Sequence, residues 1–176
     1  MIQVFSDRFD QFQIGPFPYD PKHSAIGEYH YYPTQGFKGA WYDPIVWYGW
    51  LGPSWIVTEN DGVKYMEQTR PQMAISDHWP MLVAGAPDWC DYSFETTLRL
   101  LSTDSFNGVA FRYVHARRHY FLGFEGACLR LLKRDQEKLI NLAAVPFDCD
   151  CDTAYRLRVE CVGNSLKAFV DGELLI

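Results

Sequence analysis

The sequence predicts an all-β fold, an antiparallel two-sheet sandwich, on three observations. Apolar residues recur at every second position in one segment after another, and turn formers separate these segments at intervals of about 8 to 12 residues. No stretch carries an apolar stripe at helical spacing. With 176 residues the chain is of single-domain size and can bury a core without staples.

The elements follow in order. Residues 1–9 read as a first strand, and Pro16, Pro18 and Pro21 then impose a loop. Residues 55–57 and 63–68 flank Asn60-Asp61-Gly62, a strong hairpin signal. After a connection through His78-Trp79-Pro80 and the apolar run 81–84, residues 92–100 form a strand. Tyr92, Phe94, Thr96, Leu98 and Leu100 lie on one face of it and Ser93, Glu95, Thr97 and Arg99 on the other.

Three strands are expected across residues 107–132. A Gly126-Ala127 turn puts Glu125 opposite Cys128, Phe124 opposite Leu129 and Leu122 opposite Leu131. Closing a loop over 114–119 so that apolar faces meet pairs Tyr113 with Tyr120, Phe111 with Leu122 and Val109 with Phe124. Residues 138–142 add a strand. In the last clear hairpin, Gly163-Asn164 sets Cys161 against Leu166, Val159 against Ala168, Leu157 against Val170 and, outside, Glu160 against Lys167. Asp171-Gly172 starts a further hairpin. The expected core is Val109, Phe111, Leu122, Phe124, Leu129, Leu131, Leu157 and Val159.

The outer face of the three-strand unit then carries Ala110, Gly123 and Arg130 in one row, with Arg112, Phe121 and Leu132 beside it. A glycine that admits a ring, guanidinium donors and an aromatic floor suit a saccharide; alternatively another layer packs there. Residues 27–55 form an aromatic loop insertion without helix or strand period, and Trp41, Trp47 and Trp50 within it offer faces for stacking on sugar rings. The competing reading is a satellite core beneath the loop. Arg112, Arg117, Arg118 and His119 form a basic group that reads as a solvated patch or a binding site.

Charge narrows the partners. A formal net charge of −6 without a basic stripe argues against nucleic acid, since phosphate neutralisation supplies most of that affinity. No run reaches the length of a membrane-spanning helix, and the first residues lack a signal-peptide pattern, so a cytoplasmic location is expected, or secretion if a leader has been removed. Cys90, Cys128, Cys149, Cys151 and Cys161 lack zinc-site spacing and read as reduced thiols.

Phe5-Ser6-Asp7-Arg8-Phe9, Trp55-Ile56-Val57, Asp61-Gly62, Asp91-Tyr92-Ser93-Phe94, Gly108-Val109-Ala110-Phe111-Arg112, His119-Tyr120-Phe121, Tyr155-Arg156-Leu157-Arg158-Val159 and Val170-Asp171-Gly172 occur in an order that resembles the concanavalin A-like lectin/glucanase superfamily. Within it the chain is similar to the laminin G-like branch, which includes keto-disaccharide hydrolase-like domains. The resemblance implies a single jelly-roll domain over 1–176 that binds an oligosaccharide or polysaccharide and forms the N-terminal part of a larger polysaccharide-active enzyme. Its further domains would be partners in the same chain. The alternatives are a catalytic lyase or hydrolase domain and a purely structural packing domain.

The resemblance also implies calcium near the first strand, with Asp7 and Asp10 as the matching carboxylates. Family members continue beyond the Val170-Asp171-Gly172 strand, so a longer protein is expected. The Glu-x-Asp-x-x-Glu strand of the family's glucanases is not matched, because Glu59-Asn60-Asp61 lies in a turn without the third carboxylate. No catalytic residue is therefore assigned.

Overall fold

The computed structural model describes residues 5–17, 41, 43, 54–70, 79–86 and 88–176. The chain forms two compact units, Met1–Pro87 and Asp88–Ile176. Every regular element among the described residues is a strand.

In the first unit, β1 (Gly15–Pro16), β2 (Trp55–Asn60) and β3 (Val63–Gln68) make one antiparallel sheet in that order. The Asp61-Gly62 turn supplies the positive φ angles that a tight hairpin requires, and it sets Val57 against Met66. The strand expected over residues 1–9 is not formed by its described part: residues 5–9 are irregular, and Pro16 instead enters the sheet at its edge, where a missing N–H costs no ladder bond.

The second unit is the sandwich. One sheet runs β11-β10-β9-β4, from β11 (Glu173–Leu174), β10 (Ser165–Val170), β9 (Ala154–Val162) and β4 (Tyr92–Arg99). The other runs β5-β6-β7-β8, from β5 (Asn107–His115), β6 (Arg118–Glu125), β7 (Cys128–Asp135) and β8 (Lys138–Pro146). Their inner faces meet in a core that contains all eight residues expected there, joined by Leu100, Tyr155, Cys161, Ala168 and Val170. Phe124, Phe147 and Tyr155 pack as a triad, with ring centroids 5.1 to 5.7 Å apart. The fold class is the expected one, an all-β antiparallel sandwich of the jelly-roll kind.

The β6–β7 and β9–β10 registers match the expected pairs residue for residue. The β5–β6 register does not. Val109 pairs with Leu122 and Phe111 with Tyr120, two positions from expectation, because β5 continues to His115 and turns through Ala116-Arg117 alone. The surplus residues are taken up by a bulge between Phe111 and His115, in which Arg112 adopts φ 46°. β8 extends beyond the expected 138–142 to Pro146, through a second irregularity opposite Leu131/Leu132.

Candidate ligand-binding site

The bulge decides where Arg112 goes. Its backbone N–H leaves the ladder and donates to the Tyr92 hydroxyl at 2.6 Å. Its guanidinium reaches the opposite sheet, donating to the Gly163 carbonyl in the β9–β10 turn at 2.8 Å and lying 3.6 Å from Asp91. Asp91 in turn accepts the Gly163 N–H at 2.9 Å. Arg112 is thus a clasp between the two sheets, and the expectation that it stands on the outer face beside Phe121 is corrected: a residue in the left-handed region of a bulge does not keep the alternation of its strand.

Phe121 does face outward, paired with Ala110 and Leu132, but it is only 7% exposed. Phe106 meets its ring edge-on at 5.9 Å. The ring also lies over Gly123, where an added Cβ would meet Phe121 Cζ at 2.6 Å. The space that the glycine leaves, expected to admit a sugar, is filled by the protein's own phenyl ring. Leu132 and Arg134 on the same face are also buried. Arg130 stands opposite Gly123 as expected, half-buried, with its Nε 2.9 Å from a Glu125 carboxylate oxygen.

His119 is 2% exposed and stacks on Tyr113 at 6.1 Å. Burial, reinforced by the Arg134 guanidinium, pushes its pKa down to about 4, so the ring is neutral at ordinary pH. His115 accepts the Arg117 N–H at Nδ1, 3.2 Å away, and burial together with Arg118 and Arg117 lowers its pKa too. Arg117 and Arg134 converge on Glu137. Of the basic group, His119 is buried and Arg117 is ion-paired at the sheet end, Arg112 is drawn to the other sheet, and Arg118 is exposed.

In the first unit, Trp41 packs against Phe5 and Phe9 at 5.9 and 5.5 Å, and its indole N–H donates to Asp7 Oδ2 at 3.0 Å. That is the satellite-core arrangement. Trp47 and Trp50 lie outside the described residues. Asp7 also accepts the Phe9 N–H at 2.6 Å and the Gln11 amide at 2.9 Å, while the Asp10 carbonyl accepts the Lys64 ammonium at 3.2 Å. Three donors aimed at one carboxylate and an ammonium beside the other residue do not fit a calcium ion, which needs convergent open oxygens. No cluster of three ligating side chains occurs among the described residues.

The outer face of the β4-β9-β10-β11 sheet is different. Glu95, Arg158 and Phe169 form one cross-strand row, and Ser93, Glu160 and Lys167 the next. The Arg158 guanidinium carbon sits 3.7 Å from the centroid of the Phe169 ring, bonds to Glu160 and lies 4.0 Å from Glu95. The Glu160–Lys167 pair of this face was legible in the sequence. The Arg158–Phe169 pair follows from the same predicted β9–β10 register and was overlooked, whereas the Glu95 contact needs the β4–β9 pairing, which the sequence does not reveal.

No protein-family model matches the sequence, and no curated protein sequence does. Among solved structures, the carbohydrate binding module CBM66 from Bacillus subtilis is similar, with a TM-score of 0.55 over 70% of this chain and 77% of that one. The likeness is one of fold. At 16% identity it carries no residue-by-residue correspondence.

Proposed function

We propose that this chain is a carbohydrate-binding module of the concanavalin A-like, laminin G-like kind, working as part of a larger polysaccharide-active protein. The observation that carries the reading is the β-sandwich it shares with the carbohydrate binding module from Bacillus subtilis. An exposed sheet face bearing carboxylates, a guanidinium and an aromatic ring supports it, since these groups match hydroxyls and the apolar faces of sugar rings. A structural packing role is the second reading, favoured by the burial of Phe121 and Leu132 on the other face. Affinity electrophoresis and calorimetry of the 176-residue chain against a panel of neutral and uronic polysaccharides separate the two. Saturable binding to at least one of them is expected, and absence of binding to every member overturns the proposal.

A further inference from the structure

We infer that the saccharide site is the outer face of the β4-β9-β10 strands, centred on Arg158, Glu95, Glu160 and Phe169, and that it takes a neutral oligosaccharide. This rests on the carbohydrate-binding reading and locates its site.

Three observations converge on this face. The first is access: the side chains between these positions, Phe94, Val159, Ala168, Leu157 and Val170, turn into the core, so alternation sends the central row outward. Arg158, Glu160 and Glu95 keep 28%, 27% and 46% of their side chains exposed. The outer face of the β5-β6-β7-β8 sheet, by contrast, buries Phe121, Leu132, His119 and Arg134.

The second is order. The Arg158 guanidinium is held at once by the Phe169 ring, the Glu160 carboxylate and the neighbouring Glu95. A planar group fixed on three sides has little rotamer freedom left to lose when a ligand arrives. Strands of a packed sheet carry all four residues, which positions them better than a loop would.

The third is chemistry. Carboxylates accept from vicinal hydroxyls, guanidinium N–H groups donate to hydroxyl and ring oxygens, and the guanidinium seated over the Phe169 ring offers a platform for the C–H face of a pyranose or furanose. Glu95 and Glu160 flank the cation on two sides. A uronate or sulfate that approached Arg158 would meet both carboxylates, whereas a hydroxyl-bearing ring would not be repelled.

The test uses isothermal titration of the full chain with gluco-, manno-, xylo- and fructo-oligosaccharide hexamers and with hexagalacturonate. Glu95→Gln keeps the shape of an exposed side chain, Phe169→Leu keeps an apolar residue, and Arg158→Ala removes the centre. Melting curves check that each variant folds, and Lys138→Ala on the other sheet serves as control. Binding of a neutral hexamer is expected, weakened about 10-fold or more by each of the three substitutions and unchanged by Lys138→Ala, as loss of a charge-assisted bond or a stacking ring predicts. If Arg158→Ala fails to fold, Glu95→Gln and Phe169→Leu decide. Neutral-sugar binding that survives the substitutions overturns this site and leaves the carbohydrate-binding reading standing. Binding of hexagalacturonate alone overturns the ligand class. No binding to any hexamer by the wild-type chain overturns this inference; extending that failure to every polysaccharide overturns the functional reading as well.

Discussion

Arg112 combines a backbone cost with a side-chain gain. A left-handed φ costs a residue with a β-carbon about 1–2 kcal/mol, while its guanidinium ties the β9–β10 turn and Asp91 to β5. Arg112→Ala keeps the cost and loses the tie, so urea unfolding should show a loss of about 1–3 kcal/mol. Arg112→Gly removes both and should be the more stable of the two variants; the opposite order would show that the bulge carries no strain. His119 links stability to pH. Its folded pKa of about 4 lies below the ordinary 6.5, so only the unfolded chain takes up a proton between these values. The contribution is complete above pH 6.5, falls as pH drops from 6.5 toward 4 and is lost below that, amounting to about 3 kcal/mol at most. The lowered pKa of His115 acts in the same direction. His119→Phe, which keeps an aromatic against Tyr113, should flatten this part of the urea midpoint against pH profile; a profile parallel to wild type would exclude His119 as its source.

Hairpins were legible in the sequence where two-residue turns fix the register. Gly126-Ala127 and Gly163-Asn164 each admit one pairing, and the structure has it. The β5–β6 pairing was not legible, because its turn contains no glycine and its bulge places an arginine at positive φ, against local preference. For the candidate site the limit was different. Alternation correctly turned Phe121 and Arg130 outward, but whether an outward residue is open depends on what packs over it, which no strand period encodes. β8 carries a further consequence of edge position. It lies at the margin of its sheet with Leu139, Ile140 and Leu142 exposed, and Lys138 is its only charged residue. An edge of that composition is poorly guarded against pairing with another chain. Leu142→Lys should slow concentration-dependent aggregation, followed by light scattering at elevated temperature, while shifting stability by no more than about 0.5 kcal/mol. Aggregation at an unchanged rate would place the sticky surface elsewhere.

At the scale of the whole molecule, the sandwich was legible because burying one face of every strand leaves few arrangements open. The partition of strands between sheets was not, since nothing local to β4 names β9 as its neighbour. That neighbour relation bears on the order of events in folding. Strands β5 to β8 form a meander whose pairings are all sequential, and β9 and β10 close through a tight turn, but β4 reaches β9 only with the whole meander between them in sequence. Closing so long a loop spends chain entropy before any contact rewards it, so the meander and the last hairpin should assemble first and β4 should dock last. Stopped-flow kinetics would read this directly. Truncating Phe94 or Leu98 on β4 should speed unfolding and leave the refolding rate nearly unchanged, whereas truncating Leu122 or Leu131 should slow refolding. A refolding rate that falls as much for Phe94→Ala as for Leu122→Ala would mean that the ends of the sandwich find each other before its middle is built.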